Sequence, residues 1–317
     1  MLSASVVVPL YNHGALAVEC LRSVPPGVEV VVVDDASTDD AVEIVLAAFP
    51  GVSLLRNPYN LGFAATANRG LQACSGTVRV VLNSDARLTS GALESLVAVF
   101  DDARIGVAGP RLVFPDGSHQ ISAAAFPRPG SVLAGAFLVN EIYRAVRPGG
   151  RFPLALGMSR REHERDHDVD WVHGTCFAIR DQCLTDVAGF DEEYRFMVEE
   201  MDLCLRARRS GWRVRYCAAA VVEHAGGASA SAEAWRARRY INGEARFMAR
   251  AYGLKILPRW RMARATGALI KMVAFGLAAT VSTRARARWS WQRAALGAVL
   301  GTEWRRGVGG DVVVTRW

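Results

Sequence analysis

Acidic side chains follow two apolar segments in the first part of the chain. Asp34 and Asp35 come directly after Val30–Val33, and Asp85 comes shortly after Val80–Leu82. Both runs are short and rich in β-branched residues, which is typical of buried parallel strands. Ligands of open α/β sheets bind at the carboxyl ends of such strands. Carboxylates collected there hold a divalent cation against a phosphate and hydrogen-bond a nucleoside. The pattern therefore predicts an enzyme that acts on a nucleotide-activated substrate.

A third acidic cluster lies much later in the chain, where Glu199, Glu200 and Asp202 begin a predicted helix. On a helix Glu199 and Asp202 share a face, whereas Glu200 lies about 100° away. Only one or two of the three acids can therefore reach the same site. An acid placed there can take a proton from a hydroxyl group. The alternative is a solvated acidic helix start, which the helix dipole favours.

The elements that must position these acids alternate along the first hundred residues. The pattern predicts helices near 15–23, 39–49 and 64–73, and strands at Ser5–Leu10, Glu29–Val33, Val52–Arg56 and Thr77–Leu82. Ser37 or Thr38 is predicted to cap the second helix. Three βαβ units in sequence imply an α/β fold whose parallel sheet has right-handed crossovers.

Beyond residue 92 the pattern is less regular. It predicts a helix at Ala92–Phe100, two strands at Gly106–Pro110 and Arg111–Phe114, a helix at Glu199–Gly211 and a strand at Arg213–Val222. Residues 127–165 are rich in Pro, Gly and Arg and predict a long irregular excursion. Long loops of this kind in compact domains are usually lids or binding loops.

Composition restricts the class of protein. The 317 residues are 51% hydrophobic and 22% charged, which is typical of a globular chain and not of a disordered one. The six cysteines include no CxxC pair, which favours buried thiols in a reducing compartment. A strand is predicted from Ser5 with no basic segment before it, so no signal peptide is expected. A cytoplasmic protein is predicted.

The net charge of +7 is unevenly distributed. Residues 235–317 contain 17 Lys and Arg against three acids, whereas residues 1–234 contain 21 against 28. A uniform nucleic-acid-binding surface would not divide in this way, so no nucleic-acid partner is predicted. The division favours a catalytic domain at 1–233 followed by a basic helical region at 234–317.

One segment of the basic region is almost wholly apolar. Gly267–Val281 is about fifteen residues long, shorter than the roughly 20 that span a bilayer. Arginine and tryptophan flank it on both sides, as in helices that lie in a membrane interface. This predicts a protein peripheral to the cytoplasmic face of the membrane. The alternative is a helical hairpin that packs on the catalytic domain or on a partner in a homodimer.

Six segments in register resemble the inverting family 2 glycosyltransferases, especially their rhamnosyltransferase-like branch. They are Pro9–Asn12, Val33–Asp39, Asn60–Phe63 with Asn68–Gly70, Leu82–Asp85, Gly189–Glu192 and Glu199–Leu203. The resemblance covers roughly residues 4–228. It implies a GT-A-like, mostly parallel sheet flanked by helices, with the basic helices as a carboxyl-terminal appendage.

The resemblance also implies a binding site for a UDP- or dTDP-sugar. It places Asp35 on the pyrimidine base, with Pro9 and Tyr11 lining the same pocket. The other donor-binding residues expected from the matching motifs are Asp34, Asn60, Asn68 and Asn83. Asn83 stands where the family usually has an acid, which leaves Asp85 as the main carboxylate ligand of Mg²⁺ or Mn²⁺.

Three further roles follow from the resemblance. His224 would complete the shell of the metal, although a lone histidine is ordinarily a surface or core residue. Glu200 would be the catalytic base, with Glu199 and Asp202 as alternatives. Trp171 lies where the family has acceptor contacts and offers an apolar plate for a sugar, although a core tryptophan would fit the sequence equally well.

These observations predict an inverting hexosyltransferase. It would move a sugar, rhamnose being one candidate, from a nucleoside diphosphate sugar to a cell-envelope glycan or a polyprenyl-diphosphate-linked acceptor. One alternative is a non-catalytic nucleotide-sugar-binding protein or membrane scaffold, suggested by Asn83. An NAD-dependent oxidoreductase is disfavoured because the first strand-to-helix turn, Leu10–Gly14, lacks GxGxxG.

Overall fold

The structure is a computed structural model that describes residues 2–137, 162–194, 197–225, 233–276 and 283–301, together with Trp304 and Val308. The chain divides into two compact units. The first contains the described residues of Met1–Ala124, Arg160–Arg195 and Glu199–Ala228; the second contains those of Ala125–Ser159, Phe196–Val198 and Ser229–Trp317. The contiguous division into 1–233 and 234–317 stays a prediction, and the second unit also takes in part of the predicted excursion.

The predicted alternation of strands and helices is present at the start of the first unit. Its elements are β1 Ala4–Leu10, α1 Gly14–Arg22, β2 Glu29–Asp34, α2 Ala41–Ala48, β3 Ser53–Arg56, α3 Phe63–Ala73 and β4 Val78–Leu82. The cap predicted for the second helix is wrong. That helix begins two residues later, and Ser37 Oγ instead accepts a hydrogen bond from Asn12 N at 2.8 Å.

The rest of the first unit adds seven strands and three helices. They are β5 Ala86–Leu88, α4 Ala92–Ala98, β6 Ile105–Val113, β7 Ala123–Ala124, β8 His167–Asp168, β9 Trp171–Val172, β10 Cys176–Arg180, α6 Asp181–Val187, α7 Glu199–Arg209 and β11 Arg213–His224. The two strands predicted on either side of Pro110 are one strand, β6. Its neighbour β11 changes register between Cys217 and Val221, opposite this proline, which has no N–H to donate.

The main sheet has the order β3-β2-β1-β4-β10-β6-β11-β5, and β8 pairs with β11. Strands β1 to β4, β6 and β11 run in one direction, whereas β10, β5 and β8 run in the other. Helices flank this sheet, and Val6, Val8, Val32 and Val80 are wholly buried in its core. The predicted mostly parallel α/β sheet is confirmed.

The second unit consists mainly of helices. They are α5 Pro129–Ala136, α8 Glu233–Tyr252, α9 Leu257–Gly276 and α10 Thr283–Leu300. Helix α5 lies within the segment predicted to be irregular, and residues 138–161 of that segment lie outside the described residues. The apolar segment predicted for an interface helix is described to Gly276, where it forms the second half of α9. Within the described residues, none of the helices is long and apolar enough to cross a bilayer.

Candidate active site

The carboxyl ends of the parallel strands bring distant residues to one edge of the sheet. Asp34 ends β2, Asp85 follows β4 by three residues, and His224 ends β11. Because these three strands run in the same direction, their ends lie at the same edge. The topology therefore places the predicted base-binding and metal-binding residues along that edge, although β2 and β11 are far apart in the strand order.

Asp85 and His224 form a close pair at this edge. His224 Nε2 lies 3.4 Å from Asp85 Oδ1. Gln120 holds the histidine from the other side, because its Nε2 donates to the His224 carbonyl at 2.6 Å and its Oε1 lies 2.8 Å from His224 Nδ1. An amide oxygen can only accept, so Nδ1 carries the proton and Nε2 presents a lone pair. The predicted metal-binding residues are thus adjacent, although 139 positions separate them in the sequence.

This pair fits a divalent cation. In the tautomer set by Gln120, the imidazole lone pair and the carboxylate face each other, and two acceptors repel unless a proton or a cation lies between them. Oxygen and imidazole are both suitable ligands of Mn²⁺. Within the part of the chain that the structure describes, no cluster of three or more His, Cys, Asp or Glu could hold a metal. The remaining ligands would come from a diphosphate and water.

Glu200 lies against the loop that borders this edge. Gly174 N is 3.4 Å from Glu200 Oε1, and a Cβ built on Gly174 would stand 3.5 Å from Glu200 Cδ. The carbonyl of the next residue, Thr175, accepts a hydrogen bond from Asn83 N at 2.8 Å. The segment 173–175 therefore connects Glu200 to the end of β4, two residues before Asp85.

The other two acids of this cluster have different surroundings. Asp202 is wholly buried and accepts from Arg206 Nε at 2.8 Å and from the Tyr194 hydroxyl at 3.2 Å, and its catalytic role stays a prediction. Glu199 is 5% exposed, and its Oε2 has no hydrogen-bond partner among the described residues. Burial, and then the charge of Glu200, raise the pKa of Glu199 well above its ordinary value. Burial therefore favours the protonated form of Glu199.

His173 is a site residue that the sequence did not single out. Its Nδ1 lies 3.0 Å from Thr175 Oγ1 and accepts from Thr175 N at 3.3 Å, so the ring proton is on Nε2. Burial and the neighbouring His224 lower its pKa to about 4, which keeps the ring neutral. Its position next to Gly174 was the only available signal. The ring of Trp171 lies 6.4 Å from the His173 ring, so Trp171 also borders this loop.

Asp35 shapes the loop that would surround the base. Its carboxylate accepts from Asn57 Nδ2 at 2.9 Å, from Leu61 N at 2.8 Å and from Gly62 N at 3.0 Å. Asn60 is exposed on the loop held in this way. Asp34 accepts instead from Ser37 N and Arg56 Nε, at 3.0 and 3.2 Å, so it stabilises the turn after β2.

Three other predicted donor-binding residues, Pro9, Tyr11 and Asn68, lie in different parts of the first unit. Pro9, partly buried, pairs with Val33 in the sheet, and Tyr11 follows β1 with 45% of its surface exposed. Asn68 is buried. Its side-chain amide donates a hydrogen bond to the carbonyl of Phe190 and accepts one from the N–H of the same residue. It also lines a cavity of about 300 Å³ beside Arg79, near the amino-terminal end of β4. The hydrogen bonds of Asn68 join α3 to Phe190, and its role in donor binding stays a prediction.

Known proteins resemble this chain in sequence and in fold. Residues 5–187 match the model of glycosyl transferase family 2. The chain is 28% identical over 209 residues, 62% of its length, to an N-acetylglucosaminyl-diphospho-decaprenol L-rhamnosyltransferase of Mycobacterium tuberculosis, and 30% identical over 225 residues, 69% of its length, to a pre-mycofactocin glycosyltransferase of the same organism. The matches span 66% and 42% of these two relatives, less than two thirds of each.

Solved structures share the fold at low sequence identity. A mannosyltransferase from Pyrobaculum calidifontis in complex with GDP-Man and Mn²⁺ superposes with a TM-score of 0.58 at 19% identity, covering 96% of this chain and 88% of that one. GalNAc-T7 with UDP, GalNAc and Mn²⁺ superposes with a TM-score of 0.56 at 16% identity, covering 78% and 48%. The sheet is therefore the GT-A-like sheet expected from the motifs, and the chain belongs to glycosyl transferase family 2.

Proposed function

We propose that this protein transfers a sugar, with inversion, from a pyrimidine nucleoside diphosphate sugar to a hydroxyl group of a lipid-linked cell-envelope acceptor. The observation that carries this proposal is the placement of Glu200 against Gly174, in a segment bonded to the end of β4 close to the Asp85–His224 pair. A carboxylate and a cation-binding pair at one sheet edge are the two groups that a single displacement needs.

In the proposed reaction the acceptor oxygen attacks the anomeric carbon while Glu200 takes the hydroxyl proton. The bond from that carbon to the diphosphate oxygen breaks on the opposite face, and its electron pair leaves with the nucleoside diphosphate. Asp85 and His224 would hold Mg²⁺ or Mn²⁺, which when bound supplies charge neutralisation for the leaving diphosphate. Burial favours the neutral form of Glu199, which limits the negative charge beside Glu200.

We assign the donor to the pyrimidine nucleotides. Asp35 N donates to the Leu10 carbonyl at 2.8 Å, so Tyr11 and Asp35 are adjacent at the ends of β1 and β2. Stacking on exposed Tyr11 and an acceptor for a ring N–H would favour uracil or thymine over a purine. We favour rhamnose as the sugar because one relative is named a rhamnosyltransferase.

We assign the acceptor to the polyprenyl-diphosphate-linked class, reached at the cytoplasmic face of the membrane. The first support is the name of the rhamnosyltransferase relative, which includes a decaprenol-linked substrate. The second is the basic composition of residues 235–317, which contain 17 Lys and Arg and only three acids. A basic segment attracts both anionic lipids and a diphosphate carrier.

Product analysis tests the assignment. The protein would be incubated with UDP-, dTDP- and GDP-sugars, Mn²⁺ and a membrane lipid extract, and the lipids analysed by mass spectrometry. We expect a mass increase of one sugar with a UDP- or dTDP-donor and none with GDP-donors. Transfer from a GDP-sugar alone would contradict the donor assignment. Nucleotide-sugar binding without any product would favour the non-catalytic binding protein.

The variant Glu200→Gln tests the base. The amide keeps the shape of the side chain but cannot take a proton, so we expect transfer to fall by about 10²–10⁴-fold. Donor binding, measured by calorimetry, should remain within about twofold, because Glu200 is assigned to the acceptor hydroxyl. Glu193→Gln, at an exposed acid just before α7, is the matched control and should retain full activity. Full activity in Glu200→Gln would refute the assigned role.

A further inference from the structure

Helix α9 has an unusual distribution of apolar and charged side chains. Its most exposed large apolar residues are Met262, Leu269 and Val273, with 65%, 52% and 79% of their surfaces exposed. At 100° per residue these positions fall within about 40° of one another, and they extend about 16 Å along the helix. They form one apolar stripe facing away from the rest of the second unit.

The charged residues of this part of the helix lie on its other side. From Met262 to Gly276 the sequence contains two charges, Arg264 and Lys271, which at 100° per residue stand about 160° and 180° from Met262. Arg264 is turned inward, and its guanidinium donates a hydrogen bond to the buried carboxylate of Glu244. A surface helix normally places its charges toward water and its apolar side chains inward. Helix α9 does the opposite along this stripe.

Basic residues stand at one end of the stripe. Lys255 and Arg259 are exposed, and Arg259 precedes Met262 by less than one turn. Long basic side chains of this kind bury their aliphatic stems and reach lipid headgroups with their charges. The stripe, in contrast, contains no charge. An apolar stripe with cations at its end is complementary to an anionic bilayer surface.

A second copy of the chain is a poorer occupant for this surface. In a two-fold symmetric contact the same patch faces itself, which would bring the cations of both copies toward one interface. Like charges placed together at an interface oppose association. A lipid surface carries the opposite charge and needs no matching shape.

From these observations we infer that the exposed stripe of α9, formed by Met262, Leu269 and Val273 with Lys255 and Arg259 at its end, is a docking surface for anionic lipid bilayers. The helix lies in the plane of the interface, with the three apolar side chains among the acyl chains. The inference deepens the proposed function, since it names the surface by which the enzyme reaches a membrane-embedded acceptor.

Vesicle binding of the full chain tests this surface. The protein would be sedimented with vesicles of phosphatidylglycerol and phosphatidylethanolamine, and separately with vesicles of phosphatidylcholine. We expect binding to the anionic vesicles that weakens with added salt, and at least about tenfold weaker binding to the neutral ones. Equal binding to both kinds of vesicle, or to neither, would overturn the inference.

Two double variants separate the apolar and the charged contributions. Leu269→Gln with Val273→Gln keeps good helix formers at exposed positions, so the fold is expected to persist, and it should weaken vesicle binding at least about tenfold. Lys255→Glu with Arg259→Glu should remove the preference for anionic vesicles. Leu46→Gln is the matched control, at an exposed apolar position on α2 of the first unit, and should bind like the unchanged protein.

The same variants distinguish this inference from the proposed function. Transfer to a water-soluble acceptor analogue should be unchanged in Leu269→Gln with Val273→Gln, whereas transfer to acceptor in vesicles should fall together with vesicle binding. Unchanged vesicle binding in this variant would overturn the docking surface alone. Vesicle binding by a protein that transfers no sugar would refute the proposed function and leave the surface intact. Loss of a dimer in solution, without loss of vesicle binding, would show that the stripe is a self-association surface.

Discussion

Gln120 shows how one side chain sets the chemistry of another. It contacts His224 through two hydrogen bonds, which orient the ring and place the proton on Nδ1. Partners that orient a metal-binding histidine in this way commonly change metal affinity by about 10–100-fold when they are lost. The tautomer that can bind a cation is therefore held by a residue 104 positions away in the sequence.

We predict that Gln120→Leu weakens Mn²⁺-dependent nucleotide binding by about tenfold or more. The apolar side chain of leucine cannot accept a hydrogen bond from Nδ1, so the ring loses its fixed orientation. Calorimetric titration of the nucleotide, with and without Mn²⁺, measures the change. Asp85→Ala should show a loss at least as large, whereas Gln182→Leu, at an exposed amide on α6, should show none. Metal-dependent binding that is unaffected in both site variants would contradict the assigned cation site.

Close approach of α3 to the sheet depends on a glycine. A Cβ built on Gly70 would overlap the side chain of Val7 and stand 3.0 Å from Val33 Cγ2, so this helix can pack directly on β1 and β2. In an exposed helix the same glycine would only reduce helix propensity. Packing therefore decides which residue this position tolerates.

Gly70→Ala should destabilise the protein by about 1–3 kcal/mol, because the added methyl overpacks the interface between helix and sheet. Gly135→Ala in α5 is the matched control, since nothing lies within 4 Å of its added Cβ. It should be neutral or stabilising by up to about 1 kcal/mol. Chemical denaturation of the two variants measures both effects, and equal stability of the two would contradict this packing.

Helices α8 and α9 are joined by a buried charged group. Glu244 is wholly buried and accepts from Trp260 Nε1 at 3.0 Å and from Arg264 Nε at 2.6 Å. Removal of one partner from a buried pair leaves the other charge uncompensated.

We expect Glu244→Gln to destabilise the second unit by about 3–5 kcal/mol, since Arg264 would stay buried without its counter-charge. Glu19→Gln breaks the exposed ion pair between Glu19 and Arg22 on α1 and serves as the control. Glu19→Gln should lower the free energy of unfolding by less than about 1 kcal/mol. Thermal unfolding followed by circular dichroism compares the two variants, and similar melting temperatures would contradict a stabilising role for Glu244.

For the molecule as a whole, pH should affect stability through buried groups at the site. Burial and the proximity of His224 lower the pKa of His173 from 6.5 to about 4 in the folded protein. Between pH 4 and 6.5 the unfolded chain binds a proton at this histidine that the folded protein does not bind. The contribution of His173 to the free energy of unfolding is therefore fully present above pH 6.5 and is lost as the pH falls toward 4. Glu199, whose pKa is raised, acts in the opposite sense and destabilises the fold as pH rises above 4.5.

His173→Gln should therefore flatten the decrease in stability between pH 6.5 and 4, by up to about 3 kcal/mol. Urea unfolding at a series of pH values measures this pH dependence of the free energy of unfolding. His13→Asn, at an exposed histidine, should keep the pH profile of the unchanged protein. If His173→Gln had the same profile, protonation of this ring would not limit stability in acid. Glu199→Gln should raise stability at neutral pH, since it removes the buried acid.

The sequence alone determined the alternating elements and the edge at which the acids would meet. Short apolar runs, turn residues and helical periodicity are local signals, and parallel strands must present their carboxyl ends together. Asp85 was predicted at that edge for this reason, whereas the metal-binding role of His224 followed from the resemblance to the family, which was evident from six short motifs. The short helices α5 and α6 were not predicted.

Only the tertiary structure decided what each side chain contacts. The hydrogen bonds of Gln120 with His224 and of Asn68 with Phe190 join residues more than 100 positions apart, and nothing local in the sequence encodes them. The same holds for the burial of Asp202 and for the exposed stripe of α9, because helical periodicity shows which residues share a face but not which face is buried. Burial depends on the elements that pack from elsewhere in the chain, and these are known only once the fold is complete.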